Sequence, residues 1–414
     1  MADLYDYLQW RGDLTFSQAP VNPVDTLIFS ALSYISFGGS VEALPEVPIS
    51  LKDAAEEFFR FPDQLERCRV KNDISLLQAA VETPRFRNIM LLQYRSHLVP
   101  EEETQFAAIT FLLDDNSGVI TFRGTDYSLV GWKEDFNMTF CSAVPAQLEA
   151  VAYLQKVAEC TEGPLYVGGH SKGGNLAIYA AAHVSPEIQN RIVTVFNNDG
   201  PGFQQDVVEG AGYQAICDRI KTFIPQTSLF GLMLEHAEPY TVIESSGIFV
   251  MQHDPYTWTV KGPDFVYLEE VTASGRFMDA TLRNWLAEIT PVQREQFVDA
   301  VYEAISADEA VKVQDLAWAW LTNTGGMLKA LRDVDDETAA MIREVLKQLL
   351  HNMGRTVQMM IREEQEERFS PLKEKLEHTL ELKREHTAVK PEWRELPEFE
   401  EQNKNEQHHI IGHR

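Results

Sequence analysis

The chain has 414 residues, 44% of them hydrophobic and 24% charged, which is the balance of a soluble globular protein with more than one ordinary core. Lys and Arg total 36 against 63 Asp and Glu, a net charge of −27 that repels phosphate backbones and anionic headgroups and argues against a nucleic-acid function or electrostatic docking on a membrane. No uncharged apolar run reaches the ~18 residues of a membrane span, the opening MADLYDYLQWRGD carries acids where a secretory signal carries lysines, and Cys68, Cys141, Cys160 and Cys217 lack CxxC spacing, so a cytoplasmic protein with four buried thiols is expected.

Residues 1–80 read as helical. Asn22-Pro23 supplies an N-cap with proline at the first helical position, and Val24, Leu27, Ile28, Ala31, Leu32 and Ile35 follow at helical spacing. SLKDAAEEFFRF begins a second helix near Ser50, and the N-terminal helices or the segment around 45–80 read as a lid. From about residue 87 the pattern changes to short apolar runs between turn residues: RNIMLLQY, QFAAITFLL, GVITF, PLYVGG, IVTVFNN, IKTFI, YTVIES and IFVMQ. Helical stretches at Ala146–Cys160, Gly174–His183 and Gln205–Arg219 lie between several of them. Strands alternating with helices predict a mostly parallel sheet covered on both faces, with the closely spaced last strands open to antiparallel pairing at an edge.

Beyond Arg276 the strand signal stops. Capping boxes begin at Thr290 and Ser306, apolar stripes run through Ile342–Met353 and Phe369–Leu380, and the polar tail after Thr387 lacks a periodic face. The expected organisation is a domain over 1–275, a helical extension over 276–386 able to self-associate, and a tail over 387–414.

The strongest local signal is PLYVGGHSKGGNLAIYAAAH, which sets Gly169-His170-Ser171-Lys172-Gly173, a GxSxG motif, between a predicted strand and a predicted helix. This is the context of a nucleophile elbow in an α/β-hydrolase fold, where glycines two positions either side spare the turn a backbone collision. Ser171 is the expected nucleophile. The helix after it aims N–H groups at a developing oxyanion, so Lys172 supplies one backbone donor. Upstream, a strand ends in Phe122-Arg123-Gly124-Thr125, from which Thr125 supplies the second donor through its N–H, with its hydroxyl a further donor.

FRGT followed by Trp132 and Asp135, then GHSKGG, resembles the class three lipases. The longer string GWKEDFNM, GGHSKGGNLA, NNDGPGF and QHDP resembles an uncharacterised bacterial family near those lipases, over roughly residues 1–265. That resemblance implies the fold, the nucleophile and the oxyanion loop without implying a substrate.

Chain order in this fold runs serine, acid, histidine. Six of the eleven histidines fall after residue 350, while His97 and His170 precede Ser171, and His170, as its neighbour, should point elsewhere. His183 lies too far along the following helix to reach, roughly 18 Å from its start. His253, after the apolar run GIFVMQ at an expected strand end, is the preferred base, with His236 as the alternative. Asp199 in IVTVFNNDGPGF is the expected acid, at the carboxyl end of the strand after the nucleophile helix. The lipase resemblance implies an acid one strand later, where FIPQTSLFG holds Ser228 and no carboxylate, so either Asp199 has taken the role or the acid is missing.

These residues predict a serine hydrolase acting on small-molecule or lipid acyl esters through a triad and an acyl-enzyme, with no metal or organic cofactor required. A thioesterase or amidase on the same fold, and a non-catalytic hydrolase-like scaffold binding through the helical extension, are the alternatives.

Overall fold

The computed structural model describes residues 1–37, 48–126, 128–273 and 275–276, with a few positions between 290 and 299. Apart from those positions, the expected helical extension and tail lie outside the described residues. The chain opens with helix α1 (Leu4–Arg11), α2 (Pro23–Leu32), strand β1 (Ile49–Ser50), α3 (Leu51–Phe58), α4 (Lys71–Val81) and the single turn α5 (Pro84–Arg87). Strands β2 (Met90–Val99), β3 (Thr104–Leu112) and β4 (Gly118–Phe122) follow, then α6 (Leu129–Asn137), α7 (Pro145–Cys160), β5 (Leu165–His170), α8 (Lys172–His183), β6 (Ile192–Asn198), β7 (Ile220–Pro225) and β8 (Tyr240–Ile243). A short hairpin of β9 (Val260–Lys261) and β10 (Asp264–Phe265) and the edge strand β11 (Tyr267–Leu268) complete the described part.

Nine strands form one sheet in the order β1-β2-β3-β4-β5-β6-β7-β8-β11. It is parallel from β4 to β8 and antiparallel at both margins. This is an α/β-hydrolase fold. Side-chain alternation explains how one sheet serves two cores. On β4, Val119 joins Leu27, Ile28, Phe29 and Leu76 from the N-terminal helices, while Ile120 and Phe122 join Tyr153, Leu154, Leu176 and Ile178 from α7 and α8. β3 repeats the pattern, with Ile109 and Phe111 on the first face and Phe106 and Ala108 on the second.

The helix start at α2 follows its sequence signal. The Asn22 side chain accepts from the N–H groups of Val24 and Asp25, and Asp25 returns a bond to the Asn22 N–H, a cap worth about 1 kcal/mol. Every residue of α2 is buried, and α3 and α4 pack into the same cluster through Leu51, Ala54, Phe58, Leu76 and Leu77. These helices are part of the core, which is not how a separable lid packs.

Four local expectations need correction. IFVMQ is not a strand: Phe249–His253 forms a 3-10 turn, closed in by Ser245-Ser246-Gly247 before it and by Asp254-Pro255 after it. The expected helix Gln205–Arg219 is split into Gln205–Val208 and Ala211–Ile216 at Glu209-Gly210, followed by a 3-10 turn at Cys217–Arg219. The strand read from RNIMLLQY runs on to Val99 through a bulge at Gln93, whose φ of 54° breaks the alternation of the pattern. The cysteines are free but not buried, Cys160 standing exposed at the end of α7 and the other three half-buried.

Candidate active site

The turn from β5 into α8 holds Ser171 at φ 59° and ψ −133°, a conformation L residues rarely adopt outside tightly constrained turns. The flanking glycines make room for it. A Cβ on Gly169 would lie 2.2 Å from the Gly173 carbonyl carbon, and one on Gly173 would lie 2.1 Å from the Phe122 carbonyl oxygen. Both obstacles are backbone and cannot swing aside. Gly173→Ala should therefore cost more than the ~3 kcal/mol of ordinary overpacking, and a denaturant midpoint close to wild type would refute the steric reading.

Asp199 follows β6 directly, fully buried at φ 58°. Its Oδ1 accepts from the Ser228 hydroxyl and, at 3.2 Å, from the Gly231 N–H. Its Oδ2 lies 2.6 Å from His253 Nδ1. An ionised carboxylate has only acceptors, so this contact puts the ring proton on Nδ1 and leaves Nε2 with its lone pair free. The His253 ring lies between the rings of His170 and Phe230, with centroids 4.5 and 4.4 Å away. Among the described residues His253 and Ser171 share no hydrogen bond, a common condition of catalytic pairs without substrate.

His170 does point away from Ser171, toward His253. Its Nε2 donates to the His253 carbonyl at 2.7 Å and its Nδ1 accepts from the Tyr34 hydroxyl at 3.2 Å. Burial, then the neighbouring His253 and Arg69, hold its pKa well below the usual histidine value, so the ring stays neutral. More bonds fix the loop around His253. Arg69 reaches Asp254 at 3.5 Å, the Tyr256 hydroxyl donates to Asp73 at 2.7 Å, and Trp258 Nε1 donates to the Gln252 carbonyl at 2.9 Å.

The loop after β4 comes up against the elbow: a Cβ on Gly124 would lie 3.1 Å from Ser171 Cβ. The next residue, Thr125, donates its hydroxyl to Asp135 Oδ2 at 2.5 Å, which leaves its backbone N–H as the donor to consider. The Lys172 N–H opens α8 and has no intrahelical acceptor available to it. The Asp135 carboxyl is pushed up to about 6, desolvation outweighing the nearby Lys172 ammonium and the Thr125 bond, with Glu134 and Asp126 adding to the rise. The alternative base, His236, is held in another network, its Nδ1 3.0 Å from Glu238, which also accepts from Tyr213 and Thr222. His97 pairs with Glu149 and His183 stacks on Tyr179. Among the described residues no three His, Cys, Asp or Glu side chains gather as a metal-binding group, and no helix is long and apolar enough to cross a membrane.

The Mbeg1-like family model matches residues 80–303, more than half of the chain. The chain belongs to the Mbeg1-like family. Thr125, Ser171, Asp199 and His253 all fall within the Mbeg1-like span, whereas Tyr34, Arg69 and Asp73, which brace the His253 loop, precede it. No curated protein matches the chain. Among solved structures it is similar to a mutant form of MDLA from Penicillium cyclopium, with 14% identity and a TM-score of 0.34 over 58% of this chain and 83% of that one. It is also similar to the Rhizomucor miehei lipase in its native propeptide complex, with 13% identity and a TM-score of 0.34 over 64% and 94% of the respective chains. For M37 lipase the figures are 15% and 0.33 over 50% and 68%.

Three parts of the Mbeg1-like site escaped the sequence reading. Ser228 and Gly231 hold Asp199, Tyr34 holds His170, and the Lys172 side chain is buried against Glu134. The one signal within reach was Ser228, which stands in the segment where the lipase resemblance calls for an acid.

Proposed function

We propose that this protein is a cytoplasmic serine hydrolase that cleaves acyl esters through a covalent acyl-enzyme. The observation that carries the reading is the 2.6 Å bond from a fully buried Asp199 to His253 Nδ1, made beside a strained serine at a strand-turn-helix elbow. A backbone-turn aspartate has no need of a histidine partner. In the proposed reaction His253 Nε2 takes the Ser171 proton as Oγ attacks the carbonyl carbon, and the Thr125 and Lys172 N–H groups receive the oxyanion. His253 then returns the proton to the leaving alcohol, and water repeats the sequence to free the acid. Four cysteines without a disulfide suit the cytoplasm.

The test is a fluorophosphonate label, expected on Ser171 of wild type and absent from Ser171→Ala, with hydrolysis profiled across esters of graded chain length. Labelling at other residues only, or none, would leave the scaffold alternative in its place. The base is tested separately. His253→Ala should reduce turnover to near that of Ser171→Ala, and His236→Ala should retain most of it, because Glu238 directs His236 into a different network. A dead His236→Ala with a stable fold would reverse the assignment.

A further inference from the structure

Lys172 carries an ammonium where a lysine is costly. It follows the nucleophile and is 1% exposed, and an unpaired charge there would be strongly destabilising. Every proton of its Nζ is used: it donates at 2.9 Å to the Gln105 carbonyl, to Gln105 Oε1 and to Glu134 Oε2. Glu134, wholly buried, accepts in addition from the Gln105 N–H at 3.0 Å and the Ala146 N–H at 2.9 Å. Buried ion pairs often add little stability over an apolar pair of the same volume, so stability is a weak reason for two charges. A directional tie is a stronger one.

What the tie joins gives it a purpose. Glu134 lies on α6, and the next residue on α6, Asp135, takes the Thr125 hydroxyl at 2.5 Å. One bonded chain therefore runs from Lys172, whose backbone N–H is one proposed oxyanion donor, through Glu134 and Asp135 to Thr125, which carries the other. We propose that the Lys172 side chain and Glu134 are positioning residues that set the separation of the two oxyanion donors. The inference rests on the acyl-hydrolase reading above. It also treats α6 as an anchored element, since its central carboxylate is fixed to β3 and to the start of α7.

The test compares Lys172→Met, Glu134→Gln and the double variant in the full chain. The readouts are thermal midpoint, kcat and KM on a p-nitrophenyl ester, and affinity for an alkyl trifluoromethyl ketone, which forms a tetrahedral adduct on the serine. Either single variant leaves one member of the buried pair without its closest opposite charge and lowers the midpoint. The double variant removes both charges of the pair and regains part of that loss. Its kcat should nevertheless stay about 100-fold down, the cost of a misplaced donor, with weaker ketone binding and KM within about twofold. The double variant decides the matter even if a single one fails to fold. Recovery of kcat along with the midpoint would make the pair a stability element and overturn the proposal. Hydrolysis surviving in Ser171→Ala would instead overturn the reading beneath it, and the two failures are told apart by that control.

Discussion

Ser171→Ala should abolish ester hydrolysis, with turnover falling by roughly 10⁶ if serine and histidine act as one unit, while the fold is kept. The elbow is held by backbone, since Ser171 N–H donates to the Asn198 carbonyl at 2.9 Å and Ser171 O accepts from the Gly174 N–H at 2.9 Å. Neither bond involves the hydroxyl. Alanine inherits the same φ of 59° and the same backbone strain as serine, so stability should change little. Turnover and denaturation measured on the same preparation separate the two effects. Folded Ser171→Ala that hydrolyses esters within tenfold of wild type would end the nucleophile assignment.

Steric and periodic signals were readable because they are local. GVITF and IVTVFNN became β4 and β6 with the bounds their apolar runs suggest, and the elbow was legible because its glycines answer to backbone atoms a few residues away or one strand over. Asp199 could be reached from its place at a strand end. His253 was chosen from chain order, but the strand expected to deliver it is a 3-10 turn. What positions that turn comes from far along the chain, Tyr34 being 136 residues from His170 and Arg69 185 from Asp254. No window of sequence holds both members of such a pair. In the sequence Lys172 offers only its backbone N–H, because a lysine directly before a glycine pair looks solvated until Glu134 is seen buried beside it.

Asp199→Asn is expected to lower turnover by roughly 10⁴, and the neighbouring bonds dictate how. The Gly231 N–H can only donate, and it points at Asp199 Oδ1 together with the Ser228 hydroxyl. An asparagine must keep its carbonyl oxygen on that side, which turns its NH₂ toward His253 Nδ1. Two donors cannot face each other, so the imidazole shifts its proton to Nε2 and loses the lone pair that would accept from Ser171. The geometry survives while the base is in the wrong tautomer. The loss should therefore appear in kcat with little change in thermal midpoint. Adding Ser228→Ala to Asp199→Asn should recover nothing, since Gly231 still fixes the amide. Turnover within tenfold of wild type in a folded Asp199→Asn would remove the acid from the mechanism and leave a serine–histidine pair.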